Sequence, residues 1–401
     1  LKVLHTSDWH VGKVLKGRDR YDEHVAVLGS IVATARDEDV DVVLVAGDLF
    51  ETSAPTAKSQ GLVMRTLLAL AADGRQVVVI AGNHDNAGLL DSVYRPVLGQ
   101  LGLHVLGLPK RAQAGGAVTL HTKNGEEAQV AALPFVSHRF AVRAAEIVAH
   151  EFADHTLDYQ RQLGDIVRSL TASFDTREDT VNLVMAHATL LGGRRGGGER
   201  EVQTSLDYEL SASIFPSGAH YAALGHLHRQ QEIPGPCPAF YSGSPLPIDF
   251  GEETNESVVL VVDATPGIRA DARPVPVTGG RRLRTLRGSL DQVIEEGEQA
   301  GDAYLRVILA EPGRAGLGDE VREKLPNTLE VLLDDAHRPR PGSRSGDLAG
   351  RPSRVGRSPA QLFGDYLAEE NIADPRITAL FAELLEDVTS AGAGASADGG
   401  A

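Results

Sequence analysis

The sequence predicts an α/β fold in which buried strands alternate with amphipathic helices. Three observations carry this expectation. Short aliphatic runs recur along the first two thirds of the chain, segments of helical periodicity lie between them, and each run breaks off in a polar knot of Asp, Asn, His and Gly. In order, Lys2-Val3-Leu4-His5 opens a strand and runs into Thr6-Ser7-Asp8-Trp9-His10. Val25, Leu28, Ile31 and Val32 then recur at helical spacing. Val42-Val43-Leu44-Val45 forms the next strand, ended by Gly47-Asp48, and Leu62, Met64, Leu67, Leu68 and Leu70 mark a second helix. Val77-Val78-Val79-Ile80 precedes Gly82-Asn83-His84-Asp85. Farther on, Leu183-Val184-Met185 leads to His187, and Tyr221-Ala222-Ala223-Leu224 leads to Gly225-His226-Leu227-His228. Runs without polar alternation are expected to be buried on both faces, as in parallel sheets. Their knots then gather at one end of the sheets.

Beyond about residue 270 the pattern changes. Pro274 and Pro276 precede an Arg-rich strand, Arg281 to Leu286, followed by a helix from Leu290, a strand Tyr304 to Leu309, a helix near Glu320 and a strand Thr328 to Leu333. These elements read as a small α/β cap. The arginines and prolines that follow read as a linker. Ser358-Pro359 and Asp374-Pro375 each pair an N-cap with proline at the first helical position, where the missing N–H is harmless. In the second of these helices Ile377, Leu380, Phe381, Leu384, Leu385 and Val388 share one face. The expected organisation is a body over 1–270, a cap over 271–336, a linker over 337–357, two helices over 358–388 and a disordered tail over 389–401.

Composition excludes several classes. With 401 residues, 42% of them hydrophobic, the chain can bury a sizeable core. Its 39 Lys and Arg against 55 Asp and Glu leave a net charge of -16, which excludes a cationic nucleic-acid coat. Contact with phosphate must then come from local patches or bound metal ions. No apolar run approaches a membrane span, residues 1–15 carry no signal-peptide pattern, and a single cysteine, Cys237, excludes a disulfide framework. A soluble cytoplasmic protein without a membrane association is expected.

The chemistry lies in Asp8, His10, Asp48, Asn83, His84, His187, His226 and His228. Carboxylate oxygens mixed with imidazoles suit Mn, Fe or Zn better than Mg, and eight such groups suffice for two ions. Any one of these histidines alone would read as packing, and Asp48 alone as a turn. Five knots in series, each directly after a buried strand, read as a metal centre. Two divalent ions about 4 Å apart can clamp the oxygens of a phosphoryl transfer.

In order, D-x-H (Asp8, His10), G-D (Gly47, Asp48), G-N-H-D (Gly82 to Asp85), the lone His187 and G-H-x-H (Gly225 to His228) resemble the calcineurin-like metallophosphoesterases. The stretches Leu4 to Gly12, Ala46 to Phe50 and Tyr241-Ser242-Gly243-Ser244-Pro245 are similar to the SbcD nuclease-subunit family, strongly over 1–270 and by layout beyond. The resemblance implies a two-sheet metallophosphoesterase sandwich flanked by helices, with a dinuclear centre at its edge. One ion would take Asp8, His10 and His228, the second Asn83, His187 and His226, with Asp48 bridging. His84 would face the scissile phosphate as the catalytic acid. The resemblance further implies an Mn-preferring DNA phosphodiesterase, a double-strand exonuclease and single-strand or hairpin endonuclease. Such a subunit works in DNA end processing, repair and recombination, as a homodimer with an SbcC-type coiled-coil ATPase. The terminal helices either fold back on the body or, as the resemblance points, dock on that ATPase, and the stripe Leu62, Leu67, Leu70 and Met64 is either all core or shared between core and dimer interface. The alternative is a small-molecule phosphodiesterase or phosphatase on the same fold.

Arg194 and Arg195 stand in a loop with Gly192, Gly193 and Gly196 to Gly198, either following a DNA backbone or simply on a mobile surface. Trp9 and Phe50 either wall the site or stack on a base. His5, His24, His104, His121, His138, His150, His155, His220 and His337 read as packing or exposed residues, and Cys237, between two prolines, as inert.

Overall fold

Strand formation follows the β-branched runs. In the computed structural model, which describes residues 1–137, 159–174, 179–199, 209–337, 358–369 and 375–391, they build two six-stranded sheets. The strands are β1 (Lys2–Thr6), β2 (Val42–Val45), β3 (Gln76–Ile80), β4 (Leu103–Leu106), β5 (Ala117–His121), β6 (Glu127–Leu133), β7 (Val181–His187), β8 (Tyr221–Gly225), β9 (Gln231–Ile233), β10 (Ala239–Tyr241), β11 (Val258–Asp263) and β12 (Asp271–Pro276). The first sheet has the order β12-β11-β1-β2-β3-β4 and the second β9-β10-β8-β7-β6-β5. Strands β1 to β4 pair in parallel, because helices α1 (Tyr21–Asp37) and α2 (Ala57–Leu70) carry the chain back between them. Antiparallel partners lie at the margins.

The sheets face each other across one core, to which Val42, Leu44, Val78 and Ile80 contribute from the first and Val130, Leu183, Met185 and Ala223 from the second. The outer face of the first sheet packs Val43, Val45 and Val79 on Leu28, Ile31, Val63 and Leu67. The outer face of the second packs Val184 and Leu224 on Leu163, Ile166 and Leu170 of α3 (Tyr159–Leu170). The central strands are thus covered on both sides, as their uninterrupted aliphatic character requires. Each fully buried Val, Leu or Ile contributes about 1.5–3 kcal/mol.

The structure decides one open alternative and corrects one expectation. Leu62, Leu67 and Leu70 are buried against the first sheet, and Met64 packs beside them, so this stripe belongs to the core and leaves nothing of those three leucines for an interface. The segment 271–276, which by sequence begins the cap, is instead the outermost strand of the first sheet, paired with β11. Pro274 and Pro276 are tolerated there because an edge strand has no further neighbour demanding their absent N–H groups.

The cap follows as three parallel strands, β13 (Leu283–Gly288), β14 (Tyr304–Leu309) and β15 (Thr328–Leu333), with α4 (Leu290–Glu298) and α5 (Leu317–Lys324). Leu283 and Tyr304 pack with Leu15 and Phe250 of the body. The guanidinium carbons of Arg18, Arg20 and Arg281 lie 6.0, 5.6 and 5.1 Å from the Tyr304 ring centre. Arg20 is buried at this junction and paired with Glu23 at 2.6 Å. The linker beyond His337 and the tail after Ala391 lie outside the described residues, as does Asp374. Of the last two helices, α6 (Pro359–Glu369) starts on a reciprocal cap between Ser358 and Gln361. It meets α7 (Pro375–Ala391) through Phe363 and Phe381, whose rings stack 3.8 Å apart.

Candidate metal centre

Asp8 follows β1, Asp48 follows β2, Asn83 and His84 follow β3, His187 closes β7, and His226 and His228 follow β8. All seven sites thus lie at C-terminal ends of parallel strands, where the two sheets share one edge. The loops carry an unusual backbone. Asp8, His10, Asp48 and His226 adopt φ of 53°, 47°, 53° and 102°, a region that costs a non-glycine residue about 1–3 kcal/mol. Buried hydrogen bonds hold them there. The His226 N–H donates to both Asp8 carboxylate oxygens at 3.1 and 3.2 Å, Ser7 Oγ donates to Asp8 Oδ2 at 2.5 Å, and Ser244 Oγ donates to the Asp8 carbonyl at 2.9 Å. Glycine is obligatory at two motif positions. Gly47 has φ 96° and a Cβ there would lie 2.3 Å from His187 Nδ1. A Cβ on Gly82 would lie 2.1 Å from Asp48 Oδ1.

The structure brings every expected ligand-type residue together. Asp8, His10 and His228 form one group, His10, Asp48 and His84 a second, and Asp48, His187 and His226 a third, each with candidate atoms within 4.8 Å of one another. His10 Nε2 is 3.1 Å from His228 Nε2, Asp48 Oδ2 is 3.7 Å from His10 Nε2 and 3.5 Å from His187 Nε2. Asn83 Oδ1 lies 2.9 Å from His187 Nε2 and 2.7 Å from His226 Nδ1. Asp48 therefore stands between two clusters.

The outer nitrogens explain why the inner ones converge. Nδ1–H of His187 donates to the Ala46 carbonyl at 2.8 Å, that of His84 to the Glu51 carbonyl at 2.8 Å, and that of His228 to Glu252 Oε1 at 2.7 Å. In the neutral ring each bond leaves a lone pair on Nε2. Lone pairs facing one another at such distances repel unless a proton or a cation lies between them. The donor set of buried carboxylates and imidazoles with the half-buried Asn83 amide, without thiolate, fits Mn, Fe or Zn.

The electrostatics agree. Burial pulls His187 down, yet Asp48 overrides it and holds the ring at about 9. For His228, burial is likewise overridden, chiefly by Glu252, and the ring stands at about 10. Burial opposes ionisation of Asp48, but His187 and His84 keep it well below the usual carboxylate range. Asp85 is pushed to about 6 by burial and by Asp48, although Gly82, Phe50 and Leu49 donate N–H groups to it.

Sequence reasoning missed Glu51, Glu199 and Glu252. Glu51 Oε2 stands 3.1 Å from His10 Nδ1, and Glu199 Oε1 accepts from His228 N at 2.9 Å. Nothing in spacing marks Glu252, since it lies 24 residues past its partner His228. Trp9 and Phe50 are buried in the core, with Trp9 Nε1 donating to Thr6 Oγ1 at 2.9 Å, so they wall the site and offer no face to a base. Arg194 and Arg195 are exposed, but their loop is pinned, because Gly196 and Gly197 donate N–H groups to Glu199 at 2.5 and 2.7 Å. His5 is a neutral strut between the sheets, bonded to the Tyr221 hydroxyl and the Leu224 carbonyl, and burial pushes it down to about 3. Burial pushes the Cys237 thiol up to about 11. His138, His150 and His155 lie outside the described residues.

Residues 1–230 match the calcineurin-like phosphoesterase family, and the chain belongs to that family. Within it, the chain belongs with the SbcD proteins. It is 34% identical over 287 residues to the SbcD component of the SbcCD nuclease of Bacillus subtilis, covering 71% of each chain. It is 33% identical over 345 residues to the SbcD component from Rhodobacter capsulatus, covering 84% of this chain and 81% of the relative. The SbcD component from Escherichia coli K12 is 29% identical over 318 residues, covering 75% of this chain and 74% of the relative. Among the described residues no helix is long and apolar enough to cross a membrane.

Proposed function

We propose that this chain is the metal-dependent nuclease subunit of an SbcC–SbcD-type complex and hydrolyses phosphodiester bonds in DNA. The observation that carries the proposal is the convergence of three buried ligand groups on one sheet edge with Asp48 common to two of them. Asp8, His10 and His228 would hold one ion and Asn83, His187 and His226 the other, with Asp48 bridging. When bound, two divalent ions, Mn by the family resemblance, would supply Lewis acidity at the scissile phosphate. His84 is oriented through its Nδ1–H by the Glu51 carbonyl and through its backbone N–H, which donates to Asp48 Oδ1 at 2.8 Å. In this reading its Nε2 would hold a proton for the leaving oxygen.

A protein of net charge -16 repels DNA overall. The bound cations and the exposed Arg194 and Arg195 would supply the local attraction. Double-strand exonuclease and single-strand or hairpin endonuclease activity in end repair and recombination belong to this reading, as does a cytoplasmic location. The partner would be a coiled-coil ATPase seated on α6 and α7, where Tyr366, Leu380 and Leu384 are exposed by 52, 53 and 51%. A homodimer belongs to it as well. With Leu62, Leu67 and Leu70 in the core, Val93, Val97 and Leu101, spaced four apart and 48 to 59% exposed, would offer an apolar surface to a second copy.

The test is cleavage of linear duplex DNA by the Mn-loaded chain, with and without its ATPase and ATP, beside a small phosphodiester. Duplex cleavage supports the nuclease. Hydrolysis of the small ester alone, under all these conditions, would establish the small-molecule phosphodiesterase instead.

A further inference from the structure

We infer that Glu252 is a positioning residue for the metal centre, acting through His228, and that the cap holds Glu252 in place. The inference rests on the assignment of His228 as a ligand. Glu252 is 1% exposed, and burying a carboxylate costs several kcal/mol unless it is fully matched. It is matched on both oxygens. Oε1 accepts from His228 Nδ1 at 2.7 Å, and Oε2 accepts from the Ile248 N–H at 2.9 Å. The first bond fixes which imidazole nitrogen carries the proton and which way Nε2 points.

The glycines of the 192–199 loop close over this pair. A Cβ on Gly198 would lie 2.0 Å from Glu252 Oε1 and 3.0 Å from His228 Nδ1, and one on Gly196 would lie 2.7 Å from His228 Cβ. These glycines therefore serve close packing, which is what lets the loop seal the carboxylate–imidazole bond from water.

Glu252 stands on the short turn Phe250–Glu252, and the cap grips the residues around it. Phe250 packs with Leu283 and Tyr304, and the Arg306 guanidinium lies 5.1 Å from its ring centre. Thr285 Oγ1 donates to Glu253 Oε2 at 2.5 Å, and Arg306 Nε donates to Thr285 Oγ1 at 3.0 Å. A chain of direct contacts thus runs from β13 and β14 through the turn to His228. Any displacement of the cap moves the carboxylate on which the direction of His228 depends.

The experiment is calorimetric titration of Mn into the full chain, wild type and variants, with thermal melting of each metal-free protein to check folding. With the pH dependence of each titration used to subtract the cost of the proton released on binding, Glu252→Gln should weaken one of two Mn sites by about 10- to 100-fold and leave the other nearly unchanged. Glu252→Asp keeps the charge but withdraws it by one methylene, so it should weaken the same site too. The cap variant Thr285→Val with Arg306→Met should weaken that site by a smaller factor. Two wild-type sites in Glu252→Gln would overturn the inference. So would a Glu252→Asp variant indistinguishable from wild type, because charge alone would then be what matters. A cap variant with unaltered Mn binding would remove the cap from the argument. A wild-type chain that takes up fewer than two Mn ions overturns the reading of the site itself, and this inference with it.

Discussion

Metal-free protein should lose stability as pH turns alkaline, while metal-bound protein should keep it. The folded chain holds His187 at about 9 and His228 at about 10, against about 6.5 in the unfolded chain, rises worth about 3 and about 5 kcal/mol. In both cases burial works against the rise, and the carboxylates Asp48 and Glu252 respectively supply it. A raised pKa contributes stability that is complete below the unfolded value and is lost as pH climbs through the folded one. Without metal, therefore, the protein should lose stability between about pH 7 and pH 10. A divalent ion needs both imidazoles neutral and displaces their protons. At pH 7 this competition weakens binding about 100-fold through His187 and about 1000-fold through His228, and the penalty falls tenfold per pH unit for each. Mn titrations at several pH values up to about 8.5, in two buffers of different ionisation enthalpy, would read the released protons directly. The expected result is about two protons released when both sites fill near neutral pH, with affinity rising as pH rises. Melting temperatures should fall with pH for the metal-free protein and the gap to the Mn-bound protein should widen. Mn affinity independent of pH, with no proton release, would refute the protonated resting state of these two histidines.

Three further outcomes are expected. His84→Gln should lower phosphodiester cleavage by about 100-fold or more while Mn uptake stays intact, whereas Asp48→Asn should lose both, and equal metal loss in the two variants would refute the division of roles. Gly82→Ala should bind Mn at least about tenfold more weakly, because its Cβ would lie 2.1 Å from Asp48 Oδ1 and 2.4 Å from the Asp48 backbone nitrogen; titration of that variant, with thermal melting to follow its folding, decides it. Deleting everything after Gly356 should abolish co-purification with the ATPase and ATP-stimulated duplex resection, yet leave Mn-dependent hydrolysis of a small phosphodiester intact. An unchanged affinity for the ATPase would refute docking through α6 and α7.

The sequence by itself determined the segments and the chemistry they carry. Uninterrupted runs such as Val42 to Val45 can only be stable when both faces are covered, so they announced a layered fold. The ligand-type residues after each run were visible because metal chemistry demands residue types that packing does not. Local signals also placed the cap elements closely, with β14 and β15 running from Tyr304 to Leu309 and from Thr328 to Leu333 as the periodicity indicates. What only the tertiary structure decided is who covers whom. A helical stripe reads the same whether its cover is a sheet or a second chain, and it was the first sheet that took Leu62, Leu67 and Leu70. Prolines in 271–276 read as a break until the strand is seen at an edge. Gly196 and Gly198 read as flexibility until His228 and Glu252 are found against them. Glu51, Glu199 and Glu252 reach the site through space, from loops with no shared period. A carboxylate's role is set by what lies within hydrogen-bonding distance, and distance between remote segments exists only once the chain has folded.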